Sequence, residues 1–188
     1  MTEHTNPTEQ AVHWLQTGEV IAYPTEAVYG LGCDPDNQQA VMKLLAMKQR
    51  PVEKGLILIA ANYSQLLPYI DDNAIAPERR AAIFSSWPGH ISWVLPASSK
   101  APRWLTGKFD TIAVRVSAHP VVQQLCLAFG KPLVSTSANL AGEPAFTEAQ
   151  ALAAQWGSQL AMIVPGALGG ATKPSQIRDA VSGEVLRS

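Results

Sequence analysis

The sequence of 188 residues lacks a marked excess of charge of either sign. Lys and Arg together number 14 and Asp and Glu number 15, so the formal net charge is −1. Charged residues make up 15% and hydrophobic residues 47%, which excludes a disordered chain, because disorder combines low hydrophobicity with high net charge. A bulk polycation is excluded as well, so an anionic partner would have to meet a local cluster of cations.

Long hydrophobic runs are also missing. The longest, 56–61, is far shorter than the roughly 20 residues of a transmembrane helix, and the polar first ten residues contain no signal-peptide core. The two cysteines, Cys33 and Cys126, lie far apart in the sequence, and we expect free thiols in a reducing cytosol. We therefore predict a cytoplasmic protein without a membrane segment.

Common nucleotide and metal motifs are absent from the sequence. It contains no G-x-x-x-x-G-K-[ST], G-x-G-x-x-G, C-x-x-C or H-E-x-x-H pattern. The glycine-rich segment 166–170, followed by Lys173, has the wrong spacing for a phosphate loop, so we predict a turn there. The four histidines show no ligand spacing, so we interpret them as ordinary surface or packing residues: His4, His13, His90 and His119. We predict no dedicated metal site.

Glycine and proline separate apolar segments that alternate between helical and strand patterns. We predict helices at 8–17, 38–48, 63–70, 77–84, 120–129 and 147–156, and strands at 19–23, 56–60, 91–95, 111–116, 132–136, 161–164 and 175–178. Interleaved strands and helices indicate one α/β domain with a largely parallel or mixed sheet. We expect this domain to span residues 1–188, with about residues 1–7 as a flexible tail.

Polar side chains lie next to apolar segments at four places. The first place has a pair of polar residues, and the second has a cluster of cations. Thr25 and Glu26 follow the strand that ends at Pro24, and ligands bind beyond the carboxyl ends of strands in open α/β sheets; a simple turn explains them equally well. Lys48, Arg50 and Lys54 place three cations within seven residues. They could meet a polyanion or form an ordinary solvated helix end.

The other two places lie on predicted strands. With a period of two, Thr111 and Arg115 share one face of an apolar strand, where an arginine needs a salt bridge or a bound carboxylate or phosphate. Ser135, Ser137 and Asn139 share one side of the next strand, although turn chemistry would also account for them. If the four places converge, they form a cation-rich, acid-poor pocket that suits an anionic small molecule such as a nucleotide.

These segments carry a resemblance to a known family. The pattern Y-P-T-E-[AT]-V-Y-G-L-G is matched at 23–32, K-x-R at 48–50, W-P-G at 87–89, A-V-R at 113–115 and S-x-N at 137–139. Because these motifs occur in the family's order, the chain resembles the short form of the YrdC/TsaC family of threonylcarbamoyl-AMP synthases. The resemblance extends from about residue 10 to residue 187. It departs from the common pattern at His90, Ser92, Gln176 and Arg178. The resemblance implies a single YrdC-like domain, with a twisted mixed β-sheet flanked by helices and a concave basic pocket.

The resemblance implies a nucleotidyltransferase of tRNA modification. Members of the family combine L-threonine, bicarbonate or CO2, and ATP into L-threonylcarbamoyladenylate and pyrophosphate, for modification of tRNA adenosine 37. We accordingly expect Mg²⁺ to accompany ATP without a dedicated protein site. The expected partners are a downstream transfer machinery of the TsaD, TsaB and TsaE type and, through a weak contact, tRNA itself.

The same resemblance suggests roles for ten side chains. We expect Lys48 and Arg50 to be catalytic and, with Lys54, to bind the ATP phosphates. Arg115 is expected to bind the threonine carboxylate. The remaining expected contacts are Thr25 and Ser135 with threonine, and Thr111, Ser137, Asn139 and Ser175 with the nucleotide.

Two other classes of function remain open from the residues themselves. A non-catalytic RNA-binding module for tRNA or rRNA could use a concave basic surface, with aromatic rings stacked on bases. Trp104, next to Arg103, is the best candidate for such a ring. A passive nucleotide carrier would bind the same ligand without turnover.

Overall fold

The computed structural model describes residues 6–187. The helices are α1 (Pro7–Gln16), α2 (Gln38–Lys48), α3 (Pro77–Ser86), α4 (Arg103–Thr106), α5 (Pro120–Phe129) and α6 (Ala149–Trp156). The strands are β1 (Ile21–Pro24), β2 (Tyr29–Gly32), β3 (Ile57–Ala60), β4 (Ile91–Pro96), β5 (Thr111–Val116), β6 (Leu133–Ser137), β7 (Met162–Ile163), β8 (Gln176–Asp179) and β9 (Val185–Arg187). Within residues 6–187, no helix is long and apolar enough to cross a membrane.

Helix boundaries follow the expected capping chemistry. The Asn6 side chain accepts a hydrogen bond from the Thr8 N–H at 2.8 Å, so Asn6 caps α1. Residues 1–5 of the predicted tail lie outside the described residues. Asn37 caps α2 in the same way, at the Ala40 N–H, and Pro120 supplies the first turn of α5.

Three predicted ranges coincide with observed elements: 38–48 with α2, 111–116 with β5 and 120–129 with α5. The helix predicted at 63–70 is wrong, because only a short 3₁₀ turn forms there, at Tyr63–Leu66. Two strands, β2 and β9, were not predicted.

All nine strands form one sheet, in the order β7-β1-β2-β6-β3-β5-β4-β8-β9. The pairs β1/β7, β3/β5 and β4/β8 are parallel, and the other five pairs are antiparallel. The predicted mixed α/β sheet is therefore confirmed.

Hydrophobic packing covers the two faces of the sheet unequally. Because neighbouring strand residues point to opposite faces, Leu58 and Ile59 of β3 enter separate apolar clusters. Ile59 packs with residues of α1 and α5, including Leu15 and Leu125. These helices leave part of that face uncovered, and the candidate site lies there.

The uncovered part of the sheet forms the floor of a cavity. One row of residues crosses five strands in register, with Ser135 opposite Ile57, Ile57 opposite Ala113, Ala113 opposite Val94, and Val94 opposite Asp179. All five line the cavity. The sheet thus brings segments that are distant in sequence onto one surface.

Candidate active site

A cavity of about 830 Å³ lies on this face of the sheet. Every sequence-predicted site residue lines it: Thr25, Lys48, Arg50, Lys54, Thr111, Arg115, Ser135, Ser137, Asn139 and Ser175. The four polar segments therefore converge, as their positions at strand and helix ends suggested. Its volume is in the range of small-molecule sites.

The described lining is rich in cations. It contains the predicted Lys48, Arg50, Lys54 and Arg115, together with Arg187, which the sequence did not indicate. Two acidic side chains stand against these five cations, namely Glu143 and Asp179. This imbalance favours an anionic ligand.

Lys48 connects the end of α2 to the loop after β6. Its ammonium donates a hydrogen bond to the Ser137 carbonyl at 2.6 Å and another to the Asn139 carbonyl. The side chain is buried, so the solvated-helix-end interpretation is wrong for this residue. Burial, aided by the nearby charge of Arg50, lowers the pKa of Lys48 to about 8.

Arg50 follows Gln49, whose left-handed backbone (φ 52°) ends α2. Its Nε and Nη2 donate to the Gly55 carbonyl at 3.2 and 3.0 Å, which fixes the guanidinium beside the cavity. A guanidinium has five N–H donors, so three remain for a ligand. Lys54 is exposed on the cavity lining.

The loop after β6 presents an unsatisfied acceptor. Asn139 Nδ2 donates to the Glu143 carbonyl at 2.6 Å, whereas Asn139 Oδ1 is buried and has no hydrogen-bond partner among the described residues. Trp156 of α6 donates to the Ala138 carbonyl and holds the same loop from behind. An unsatisfied buried acceptor is costly, so a ligand donor at Asn139 Oδ1 would be stabilising.

Arg115 is buried on β5, with 6% of its surface exposed. Its nearest carboxylate, Glu26 Oε2, lies 3.9 Å from Nη1, and Nη1 donates to His90 Nδ1 at 2.8 Å. Burial lowers the pKa of Arg115, while the Glu26 charge acts in the opposite direction. The long ion pair leaves guanidinium donors available, which favours the bound-anion interpretation over a purely structural salt bridge.

The hydroxyl of Thr25 has a defined direction. It donates to the Val28 carbonyl at 2.6 Å, so its oxygen can accept a hydrogen bond from a ligand but has no second proton to donate. The turn predicted at 166–170 runs beside this segment, because the Gly169 N–H donates to the Thr25 carbonyl at 3.0 Å.

Sequence reasoning missed Arg187 on β9. It donates through Nε and Nη2 to the Ser175 carbonyl at 2.9 and 2.7 Å, and Ser175 Oγ lies 3.1 Å from Ser92 Oγ. Burial lowers the pKa of Arg187, as does the charge of Arg115. Sequence alone gave no signal for Arg187, since only the pairing of β8 and β9 brings it to the cavity.

We predicted that His90 is an ordinary surface or packing residue, and the structure places it on the cavity lining. His90 lines the cavity and contacts Arg115 through Nδ1 and the Lys173 carbonyl through Nε2, at 2.8 and 2.7 Å. His119, in contrast, is buried and contacts the Ala167 carbonyl at 2.7 Å, in keeping with a packing role. His4 lies outside the described residues.

The donors in the cavity do not form a metal cage. Across residues 6–187, no group of three or more His, Cys, Asp or Glu side chains could hold a metal ion. Oxygen ligands are what Mg²⁺ prefers, and it commonly takes one or two carboxylates together with substrate phosphates. Glu143 and Asp179 line the cavity and supply carboxylate oxygens of the kind that Mg²⁺ prefers.

The aromatic surface expected of an RNA-binding module does not form at Trp104. Its Nε1 donates to the Pro35 carbonyl at 2.8 Å, and the half-buried ring packs against the main apolar cluster.

Cys33 and Cys126 are buried free thiols, as predicted.

Comparison with known families decides the assignment. The Sua5_yciO_yrdC family model, described as "Telomere recombination", matches residues 13–188. The chain belongs to this family. The cavity residues from Thr25 to Arg187 all lie inside the matched range, so the whole candidate site is part of the family domain.

Two relatives with about 60% sequence identity share one name. Proteins named threonylcarbamoyl-AMP synthase from Pseudoalteromonas translucida and Vibrio cholerae are 61% and 59% identical to this chain. The matches cover 94% and 95% of this chain, and 95% of each relative.

Solved family structures have the same fold. The P. abyssi Sua5 structure complexed with L-threonine has a TM-score of 0.84 and 31% identity, covering 94% of this chain. This chain spans about half of that protein, at 52% of its length. E. coli YciO has a TM-score of 0.82 and 28% identity, covering 96% of this chain and 88% of its own. The predicted YrdC-like fold is confirmed.

Proposed function

We propose that this chain synthesises L-threonylcarbamoyladenylate and pyrophosphate from L-threonine, bicarbonate or CO2, and ATP. The observation that carries the proposal is the convergence of Lys48, Arg50, Arg115 and the Ser137–Asn139 loop on one cation-rich cavity. The name shared by relatives about 60% identical over nearly the full length supports the same reaction.

The chemistry places heavy electrostatic demands on the cavity. Threonine and bicarbonate first combine into a carbamate with loss of water. A carbamate oxygen then attacks the α-phosphorus of ATP, and the bond from that phosphorus to the bridging oxygen breaks, so pyrophosphate leaves with the electron pair. Anionic nucleophile, phosphates and leaving group lie close together, so fixed cations and orientation should provide most of the catalysis.

We assign the phosphates to the cations at the end of α2. Lys48 has three N–H donors and uses two on the Ser137 and Asn139 carbonyls, which leaves one for a phosphate oxygen. Arg50 keeps three donors, and Lys54 adds an exposed charge. In this assignment Lys48 and Arg50 stabilise the charge that develops on the departing pyrophosphate and are the catalytic residues.

We assign threonine to the β5 side of the cavity. The buried Arg115 would grip its carboxylate in two parallel hydrogen bonds. Thr25 would accept from its hydroxyl or amine group, since its own proton is already donated to Val28, and Ser135 lies opposite Ile57 on the cavity floor. Two substrates held on one surface would bring the carbamate close to the α-phosphate.

We assign the nucleoside to the loop after β6. Asn139 Oδ1 lacks a hydrogen-bond partner among the described residues and would accept from a ribose hydroxyl or the adenine amino group. Ser137 would contact the nucleotide from the same loop. Thr111 and Ser175 line the cavity and are further nucleotide contacts, with Ser175 held by Arg187.

Mg²⁺ would enter with ATP and neutralise phosphate charge. The product would then pass to a tRNA threonylcarbamoyl-transferase of the TsaD, TsaB and TsaE type for modification of adenosine 37. Transfer RNA itself would make at most a weak contact, and the activity would lie in the cytoplasm with its tRNA acceptor.

Detection of the product by mass spectrometry tests this function. Purified protein with ATP, L-threonine, bicarbonate and Mg²⁺ should yield threonylcarbamoyl-AMP, and pyrophosphate release should require both threonine and bicarbonate. Pyrophosphate release without threonine would contradict the proposal. A passive carrier would bind nucleotide in stoichiometric amounts without turnover, and an RNA module would bind RNA with a steep dependence on salt.

A further inference from the structure

We infer that His90 is a positioning residue that fixes the direction of the Arg115 guanidinium and so sets the affinity for threonine. This inference rests on the proposed function. His90 precedes β4 and lines the cavity, but it does not belong to the set of predicted site residues. Its two ring nitrogens contact Arg115 and the Lys173 carbonyl.

The two contacts require one protonation state of the imidazole. A guanidinium has donors only, so His90 Nδ1 must accept from Arg115 Nη1 at 2.8 Å. Nε2 then carries the proton and donates to the Lys173 carbonyl at 2.7 Å. Both hydrogen bonds are satisfied by the same neutral tautomer, and together they restrain the ring at both ends.

The other neighbour of Arg115 holds it less tightly. Glu26 Oε2 is 3.9 Å from Arg115 Nη1, beyond hydrogen-bond distance. Glu26 Oε1 accepts from the Ser117 hydroxyl at 2.8 Å, while Oε2 has no hydrogen-bond partner among the described residues. Glu26 therefore contributes charge, and the short contact that can set the direction of the guanidinium comes from His90.

Arg187 is a second cation on the same cavity lining, and burial together with the charge of Arg115 lowers its pKa. Neither Arg187 nor the distant Glu26 carboxylate offers Arg115 an acceptor at hydrogen-bond distance, so loss of the His90 acceptor would leave the guanidinium free to turn within the cavity. A bidentate grip on a carboxylate depends on the orientation of the guanidinium plane, so a displaced Arg115 would bind threonine more weakly while the nucleotide contacts stay in place.

Two substitutions of His90 separate its two hydrogen bonds. His90→Asn retains an oxygen acceptor near the Nδ1 position, whereas His90→Gln retains an N–H donor near the Nε2 position. We expect His90→Gln to raise the threonine KM about tenfold, the lower end of the effect of losing one hydrogen bond to a charged group, because Arg115 itself keeps its charge and its donors. We expect His90→Asn to stay within about threefold of the unmodified protein, with the ATP KM unchanged in both variants.

The assay is threonylcarbamoyl-AMP formation at varied threonine and at varied ATP, with His13→Gln as a surface control and thermal unfolding as a check on folding. In an Arg115→Lys background the effect of His90→Gln should largely disappear, because His90 acts through Arg115. An unchanged threonine KM in His90→Gln would overturn the inference, as would equal rises for threonine and ATP, or an equal rise in His90→Asn. Absence of product from the unmodified protein would instead contradict the proposed function.

Discussion

Replacing Arg115 by lysine tests the threonine subsite directly. Arg115 is 6% exposed, and its nearest carboxylate lies 3.9 Å away, so most of its donors are available to a bound anion. Lysine keeps the positive charge but cannot form two parallel hydrogen bonds with a carboxylate. Loss of one hydrogen bond between charged groups costs about 1.5–3 kcal/mol, which corresponds to a rise of about 10- to 150-fold in the threonine KM.

The measurement is the initial rate of threonylcarbamoyl-AMP formation against threonine concentration at saturating ATP and bicarbonate. Arg80→Lys is the matched control, because Arg80 also contacts a carboxylate, Asp72 at 3.2 Å, but on the partly exposed surface. Such surface pairs contribute about 0–1 kcal/mol, so this control should keep its threonine KM. A threonine KM for Arg115→Lys within twofold of the unmodified protein, or an equal rise in both variants, would refute the assignment of Arg115.

Three further predictions concern the phosphate side and the fold. The kcat/KM for ATP should fall as pH rises through about 8, because Lys48 then loses its proton, and Lys48→Arg should remove this fall; a flat profile in the unmodified protein would count against a role for the Lys48 charge. Arg50→Ala should lower turnover by at least about a hundredfold and reduce the free energy of unfolding by about 1 kcal/mol, and near-normal turnover would reject its role. Gly107→Ala should cost about 1–3 kcal/mol more than Gly130→Ala in thermal unfolding. Both have positive φ, but only at Gly107 would a Cβ meet backbone, 2.4 Å from a carbonyl oxygen; equal costs would reject this account.

Elements with strong local signals could be predicted closely. The α2 helix has an asparagine cap at Asn37, α5 begins with Pro120, and β5 alternates branched apolar residues with Thr, Ala and Arg. The polar residues on the cavity side of β5 and β6 could be identified for the same reason, since the period of two assigns each side chain to a face.

The remaining parts depend on contacts that no local pattern encodes. The strand β2 has only four residues, two of them glycine, and forms because β1 and β6 pair with it on either side. Arg187 and His90 reach the cavity only through the order of β5, β4, β8 and β9. Strand order follows from the packing of the whole domain, so no pattern around Arg187 pointed to the site, and the W-P-G motif before His90 did not by itself place that side chain in the cavity.

The cavity is lined by residues from nearly the whole sequence, so its ligands should affect the stability of the whole domain. Its lining runs from Thr25 to Arg187, and Lys48 hydrogen-bonds to Asn139 across 91 positions, so a fragment of the domain would not contain the site. A ligand that binds only the complete domain stabilises all of it, by about 2.7 kcal/mol at a concentration of 100 Kd. Nucleotide and threonine should therefore slow hydrogen exchange in those strand amides that open only on global unfolding, well beyond the residues they touch. The substrates of this protein would act as stabilisers of its fold, and its thermal stability in a cell would follow the supply of ATP and threonine.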